Sequence, residues 1–206
     1  MARTAWVGFG ANLGRPARTW RCVVDAVLRS RSLRLLGISP LYLTEPLSPI
    51  AQPWYTNAVF AVASRLEPVP LVLFLRRLER RLGRRRGVER RWGPRKVDLD
   101  LLIFGKRVLR NHRLILPHPR MHERRFVLQP LADLNGALQH PVWCKTIDKL
   151  LKEVDDPSGI GRLPRMAPTP LCRGAVTRVR RAASLGRNRG KAWIDFAHVG
   201  REDRDR

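Results

Sequence analysis

The chain has 206 residues and a formal charge of +24, from 41 lysines and arginines against 17 aspartates and glutamates. That length suffices for one domain with a real core, and an apolar share of 44% excludes a chain that is disordered throughout. No apolar run approaches the roughly 20 residues that span a bilayer. The charge predicts affinity for an anion, whether nucleic acid, a membrane surface or a polyphosphate, although an arginine-biased genome explains the excess equally well.

The first half of the chain predicts three strands and two helices. AWVGFGANLG is typical of a strand followed by a turn, and we interpret Gly8 and Gly10 as a tight turn rather than a phosphate loop. Between Arg15 and Leu35, apolar residues recur at helical spacing after Pro16. LRLLGISPLYLT and TNAVFAVASRL predict strands, separated by the proline-rich loop EPLSPIAQPWY. A helix is expected from about Pro68, with Gly83 as its stop.

The second half continues with the strand KVDLDLLIF, a hairpin formed by VLRN and RLIL, and a structured piece at RRFVLQPLADL. KTIDKLLKEV predicts a short helix that Thr146 would cap. The order strand, helix, strand, strand, helix, strand favours an α+β domain with a mainly antiparallel sheet and packed helices.

The composition changes after residue 157. Residues 158–206 contain 12 lysines and arginines but 4 acidic residues, and they lack periodicity. We therefore expect one folded domain over residues 1–157 and a basic, disordered extension over 158–206. The cysteines, Cys22, Cys144 and Cys172, are odd in number and lack metal-site spacing, which is typical of reduced thiols in a cytoplasmic protein.

Two carboxylates interrupt the apolar strand KVDLDLLIF. Side chains alternate along a strand, so Asp98 and Asp100 should lie on one side, with Val97, Leu99 and Leu101 on the other. Two adjacent carboxylates stay ionised when divalent cations lie between them, and oxygen ligands suit Mg²⁺. The alternative is an edge strand whose charges block aggregation. The pair alone does not decide between the two.

An arginine-rich segment precedes the carboxylates, and its glycines would let it move as a lid. Guanidinium groups bind phosphate oxygens, so cations facing metal-binding carboxylates suit a nucleoside triphosphate with Mg²⁺. The alternative is a solvated run of charge. The arginines of this segment are Arg84, Arg85, Arg86, Arg90, Arg91 and Arg95.

Two further groups are candidates for a site. His118 lies between prolines, and a zinc site formed with His122 and the aspartates is disfavoured because no cysteine is nearby. Tyr55 and Asn57 follow the proline-rich loop, and an aromatic ring with an amide suits a flat, hydrogen-bonding heterocycle. The alternative for Tyr55 is a place at the edge of the core.

Three segments resemble one family. TEPLSPIAQPWYTNAV, LERRLGRRRGVERRWGPRKVDLDLLIFG and LPHPRMHERRFVLQPLADL are similar to 6-hydroxymethyl-7,8-dihydropterin pyrophosphokinases of folate biosynthesis, in that family's order over roughly residues 4–154. The resemblance implies a ferredoxin-like α/β sandwich and transfer of pyrophosphate from ATP to the pterin hydroxymethyl group, with release of AMP. It implies ATP and the pterin as the partners of a monomer, without membrane or nucleic acid.

The resemblance also implies roles for individual residues. Asp98 and Asp100 would hold Mg²⁺ as two ions, and with Arg84 and Arg95 they form the expected catalytic set. The expected ATP contacts are Arg84, Trp92, Arg95, Arg113, His118 and Arg124. The expected pterin contacts are Thr44, Pro46, Leu47, Tyr55, Asn57 and Phe126.

Two departures from the family pattern bear on these roles. Ser48 replaces a frequent glycine, and the arginine segment is one residue longer than in a close relative, which leaves open whether Arg84, Arg85 or Arg86 contacts phosphate. A competing interpretation is a basic nucleic-acid-binding module, although the chain lacks RNP aromatics, zinc spacing and a recognition helix.

Overall fold

The computed structural model of the protein describes residues 2–90 and 92–164. Within these residues, one antiparallel sheet is built from six strands, and its order is β5-β1-β4-β3-β8, with β2 paired to the same edge of β4 as β3. A small hairpin, β6 and β7, follows the sheet's β5. The strands are β1 (Arg3–Ala11), β2 (Leu33–Ile38), β3 (Tyr42–Thr44), β4 (Tyr55–Ser64), β5 (Asp98–Phe104), β6 (Leu109–Arg110), β7 (Ile115–Leu116) and β8 (Ile160–Arg162).

The helices begin where the sequence supplies suitable residues. α1 (Pro16–Leu28) and α2 (Pro68–Arg81) each have a proline in the first turn, where the missing N–H costs no helical hydrogen bond. The hydroxyl of Thr146 accepts a hydrogen bond from the Lys149 N–H and caps α4 (Ile147–Glu153), as expected. α3 (Arg125–Asn135) follows a 3₁₀ turn at Met121–Glu123.

The sheet is covered by helices on both faces. α1 and α2 pack their apolar sides, including Trp20 and Leu75, against one face of the sheet around Phe60. α3 and α4 cover the other face, where Leu128 and Ile147 meet Val59. The chain order β1-α1-β2/β3-β4-α2-β5 is that of a ferredoxin-like α+β sandwich, which confirms the expected fold. No helix among the described residues is both long enough and apolar enough to cross a bilayer.

Three boundaries differ from those expected. The Gly8–Gly10 stretch is part of β1, which continues to Ala11, so the tight-turn interpretation is wrong. α1 ends at Leu28, because the later leucines face the core from β2 rather than from a helix. LRLLGISPLYLT forms two strands instead of one, because Ser39 and Pro40 interrupt it.

The folded part continues past residue 157. β8 pairs with β3, and the Leu163 N–H donates to the Leu41 carbonyl at 2.8 Å. The Glu45 N–H donates to the Gly159 carbonyl at 2.9 Å. The expected boundary at 157 is therefore too early, because a short polar segment can add to an open sheet edge through its backbone alone. The remainder of the expected extension, residues 165–206, lies outside the described residues.

Candidate active site

A cavity of about 280 Å³ opens beside β1, β4 and β5, on the α3 side of the sheet. Its walls come from these strands, from the loop before β4, from the arginine-rich segment and from the turn before α3. Most of the expected site residues meet there although they are far apart in sequence. Those that line it are Thr44, Leu47, Tyr55, Asn57, Trp92, Arg95, Asp98, Asp100, His118, Arg124 and Phe126.

The two carboxylates share one wall of the cavity. Asp98 and Asp100 both line it, while Leu99 and Leu101 are buried in the core under α1 and α2. The alternation predicted for this strand is therefore confirmed. Gly10 of β1 pairs with Asp98 of β5, and Gly8 of β1 pairs with Asp100. Because Gly10 has no side chain, the space between Asp98 and Asn57 stays open.

Asp98 is held by two arginines. Its Oδ1 atom accepts a hydrogen bond from Arg84 Nη1 and its Oδ2 atom accepts one from Arg95 Nη1. Burial alone would raise the pKa of Asp98, but attraction by Arg84 and Arg95 outweighs burial and lowers it. Asp98 is therefore an anion at neutral pH.

Asp100 has a different environment. Burial first, and then repulsion by Asp98 and Glu79, raises its pKa to about 7, against partial compensation by Arg124. Among the described residues, no side chain makes a hydrogen bond or an ion pair with the Asp100 carboxylate. The site thus contains one compensated carboxylate and one whose charge lacks a direct partner.

Arg84 lies behind the wall rather than in the cavity. It is only 8% exposed, and its Nη1 atom also donates to Glu79 Oε1 at 2.8 Å. Glu79 is fully buried, and Arg86 and the backbone N–H of Leu99 donate to it as well. This network fixes Arg84 against Asp98, whereas Arg85 is exposed to solvent.

Another part of the cavity lining carries the aromatic and amide groups, and Asn57 of β4 is separated from Asp98 of β5 by Gly10 of β1. Asn57 Nδ2 donates to the Thr44 hydroxyl at 2.6 Å, which orients the amide, and both residues are buried. Phe126 is half-buried, with the Arg124 guanidinium 5.6 Å from its ring centre. The Tyr55 hydroxyl lies 3.1 Å from the Gly93 carbonyl, so Tyr55 touches the arginine-rich segment as well as lining the cavity.

The arginine-rich segment, residues 84–95, closes one side of the cavity. Trp92 has a positive φ of 65°, which a bulky residue rarely adopts and which costs about 1–3 kcal/mol. Its carbonyl accepts a hydrogen bond from Gln52 Nε2 at 2.9 Å. The Arg120 guanidinium carbon lies 4.7 Å from the centre of the Trp92 ring. Contacts from two other loops therefore hold this strained residue in place.

His118 is a neutral group at the cavity. Burial first, and then the charge of Arg124, lowers its pKa to about 4. Its Nδ1 atom accepts a hydrogen bond from the Arg120 N–H at 3.3 Å, which leaves the proton of the neutral ring on Nε2. Over residues 2–90 and 92–164, no group of three or more histidines, cysteines and carboxylates could hold a metal, so the disfavoured zinc interpretation gains no support.

Three expected site residues lie outside the cavity lining. Arg84 is the buried one described above, Pro46 lies between two lining residues, and Arg113 is exposed at the tip of the β6–β7 hairpin. Sequence reasoning missed several lining residues, because single polar residues and glycines in loops or strands carry no periodic signal. These are Gly8, Gly10, Glu45, Ser48, Gln52, Arg120 and Glu123.

An α+β sandwich with paired carboxylates opposite arginines, beside an aromatic pocket, defines an enzyme that transfers phosphoryl groups. Residues 6–136 match the profile of the 7,8-dihydro-6-hydroxymethylpterin-pyrophosphokinase (HPPK) family. The chain belongs to that family, which confirms the resemblance and the class of pyrophosphokinase. The match gives no support to the alternative of a nucleic-acid-binding module.

Two curated relatives are similar to this chain over most of their own length. The 2-amino-4-hydroxy-6-hydroxymethyldihydropteridine pyrophosphokinase of Pseudomonas aeruginosa is 42% identical over 141 residues, which are 68% of this chain and 86% of that protein. The Haemophilus influenzae protein of the same name is 37% identical over 153 residues, which are 74% and 94% of the two chains.

The fold is also found in solved structures. HPPK-DHPS of Plasmodium falciparum superimposes with a TM-score of 0.60 at 13% identity, covering 74% of this chain and 43% of that one. This chain therefore spans less than half of that longer protein. At such low identity the likeness concerns the fold alone.

Proposed function

We propose that the protein transfers the pyrophosphoryl group of ATP to the hydroxymethyl oxygen of 6-hydroxymethyl-7,8-dihydropterin, releasing AMP, in folate biosynthesis. The observation that carries this proposal is the pair Asp98 and Asp100 in the cavity lining, beside the arginine-rich segment and on the same sheet as Asn57, with Gly10 between Asp98 and Asn57. The pterin hydroxyl group loses its proton to water as its oxygen bonds to the β-phosphorus. The bond from that phosphorus to the oxygen shared with the α-phosphate breaks, and AMP departs with the electron pair.

The carboxylates fit Mg²⁺ as two ions. Asp100 has a half-buried carboxylate without a direct partner, and a raised pKa of this kind is expected where a cation normally supplies the missing charge. Asp98 already attracts cations, since Arg84 and Arg95 contact it and Arg86 Nη2 lies 3.7 Å from its Oδ1 atom. When bound, Mg²⁺ would neutralise triphosphate oxygens and polarise the transferred group.

The arginines would change partners when the nucleotide binds. Arg95 lines the cavity and needs only to leave Asp98 to reach a phosphate oxygen. Arg84 remains paired with Glu79, so we assign it to holding Asp98 from behind. His118 and Arg124, which also line the cavity, would contact the nucleotide, whereas Arg113 would need a movement of its hairpin.

The aromatic side of the cavity would bind the pterin. Tyr55 and Phe126 offer ring faces, and Asn57, oriented by Thr44, offers an amide edge for the heterocycle. The backbone around Pro46 and Leu47 would face the edge of the ring. Holding the hydroxymethyl oxygen near the β-phosphorus converts a bimolecular encounter into a positioned step.

The test is the identity of the products. Incubation of the protein with ATP, Mg²⁺ and the hydroxymethyl-dihydropterin should give AMP and pterin pyrophosphate in equal amounts. The replacement Arg95→Ala should lower kcat more than it raises the KM for the pterin. ADP formed in equal amount with a monophosphorylated pterin would contradict the reaction class.

The cellular setting belongs to the same proposal. Cys22 and Cys144 are free and exposed, which supports a reducing compartment such as the cytoplasm. We expect a monomer whose partners are the two small substrates, without nucleic acid. Sedimentation of the full chain, and a salt titration of any nucleic-acid affinity, test these two points.

A further inference from the structure

Arg120 contacts the tip of the arginine-rich segment from across the cavity mouth. It lies between His118 and the 3₁₀ turn, it lines the cavity, and its guanidinium carbon is 4.7 Å from the centre of the Trp92 ring. A guanidinium group over an indole face at this distance makes a favourable cation–π contact. The contact joins two cavity walls that are separate in sequence.

The other interactions of Arg120 do not explain its position. Its ion pair with Glu123 is long, at 3.7 Å, and both side chains are about half exposed, so this pair contributes little. The ring of Trp92, in contrast, belongs to a residue with a strained positive φ, which persists only where surrounding contacts hold it. Arg120 is one of those contacts, and Gln52 is another.

We propose that Arg120 is a positioning residue for the nucleoside triphosphate, and this inference rests on the proposed function. Stacking on Trp92 holds this part of the arginine-rich segment at the cavity mouth and keeps the face of the guanidinium occupied. The N–H donors of the Arg120 guanidinium lie in the plane of the group and stay available, so they can bind an anionic oxygen that enters the cavity. Arg120 thereby links closure of this segment to retention of the triphosphate.

The experiment combines a double-mutant cycle with a probe of the segment itself. The variants are Arg120→Ala, Arg120→Lys, Trp92→Leu and the Arg120→Ala/Trp92→Leu double replacement. Arg107→Ala is the matched control, because Arg107 is equally exposed, also has one long surface ion pair, at 3.3 Å to Glu67, and does not line the cavity. KM and kcat are measured for ATP. Trypsin cleavage between residues 84 and 95 is followed by mass spectrometry in the ligand-free protein.

Arg120→Ala should raise the KM for ATP and the cleavage rate by roughly three- to tenfold, the range of a partly desolvated cation–π contact, with a smaller change in kcat. Arg120→Lys should retain part of the effect, and Arg107→Ala should change neither quantity. In the Trp92→Leu background, Arg120→Ala should add less than twofold. Equal effects in both backgrounds, or an Arg120→Ala protein that behaves like the control, would overturn the proposal.

The two proposals can fail separately. A wild-type protein that makes no AMP from ATP and the pterin would refute the proposed reaction. The cleavage rate of the ligand-free protein would still test the contact between Arg120 and Trp92. Conversely, an active enzyme whose segment is cleaved equally fast with and without Arg120 would refute only the inference about Arg120.

Discussion

Gly10 of β1 lies directly across from Asn57 of β4, and Asn57 Oδ1 is only 2.9 Å from the position that a Cβ atom on Gly10 would occupy. A methyl group there must displace the amide, which Thr44 otherwise orients. We therefore expect Gly10→Ala to raise the KM for the pterin by at least tenfold and the KM for ATP much less. Steady-state kinetics with each substrate varied in turn measure this difference.

Gly8→Ala is the matched control for that change. The added Cβ would lie 3.5 Å from the Leu102 side chain, which is an ordinary van der Waals distance. Its effect on the KM for the pterin should be less than threefold. Equal losses in the two variants would mean that Asn57 is not the group that Gly10 protects.

The two carboxylates should respond oppositely to neutralisation, although both replacements should abolish turnover. Asp98→Asn removes the negative charge that pairs with both Arg84 and Arg95. Because this weakens charge-assisted hydrogen bonds, we expect the free energy of unfolding to fall by about 1–3 kcal/mol. Arg84 keeps Glu79, so the protein should still fold. Denaturant titration without divalent cations measures the loss, and an Asp98→Asn protein as stable as wild type would contradict it.

Asp100→Asn should stabilise the ligand-free protein. The folded state raises the pKa of Asp100 from 3.8 to about 7, so its contribution to stability is complete below pH 4 and is lost as the pH rises towards 7. Asparagine does not titrate, so Asp100→Asn should not lose stability over this pH range for that reason. The melting temperature of Asp100→Asn should exceed that of wild type by more at pH 8 than at pH 5 in metal-free buffer, and an equal difference at both would refute the pKa assignment.

Two histidines should weaken the protein in mild acid. Burial lowers the pKa of both His118 and His140 to about 4, so the unfolded chain binds more protons than the folded one between about pH 4 and 6.5. Stability from these groups is therefore present above pH 6.5 and is lost as the pH falls. His140 Nδ1 accepts hydrogen bonds from the N–H groups of Val142 and Trp143, which a protonated ring could not do.

His140→Asn tests this pH dependence away from the cavity. The asparagine oxygen can accept a backbone hydrogen bond but does not titrate in this range. The variant should lose less stability than wild type between pH 7 and pH 5, as measured by denaturant titration at both values. An unchanged pH dependence would show that the His140 ring is not buried as a neutral group.

The end of the folded domain can be located by truncation. Removing residues after Pro157 deletes β8 and its pairing with β3, next to Thr44, so the melting temperature should fall by several degrees. The KM for the pterin should also rise. A chain ending at Pro164 keeps β8 and should behave as the full chain does. Equal behaviour of the two truncated proteins would mean that β8 contributes nothing.

Residue patterns were sufficient to predict the fold and the orientation of the carboxylates. Strand alternation alone placed Asp98 and Asp100 on one side, and the leucine spacing of α2 predicted a helix that the structure confirms. Long amphipathic or alternating segments are predictable because burial of one face dominates their energetics.

Features that depend on contacts between distant segments were not predictable. Gly8 and Gly10 looked like a turn because glycine is common there, while the constraint that the structure shows is the close approach of Asn57 to Gly10 across the sheet. β8 has no alternation to detect, since its backbone provides the pairing. The position of Arg84 behind the cavity depends on buried Glu79, and no local pattern marks it.

Arg84 and Arg95 both donate hydrogen bonds to Asp98, and these ion pairs should affect whether the enzyme binds a nucleotide with or without its metal. A bare triphosphate that draws Arg95 away leaves a buried anion with one cation fewer, and it brings four negative charges of its own. A nucleotide with bound Mg²⁺ would instead supply a cation that Asp98 could hold in place of the departing guanidinium. We therefore expect the resting ion pairs to discriminate against metal-free nucleotides before any chemistry begins.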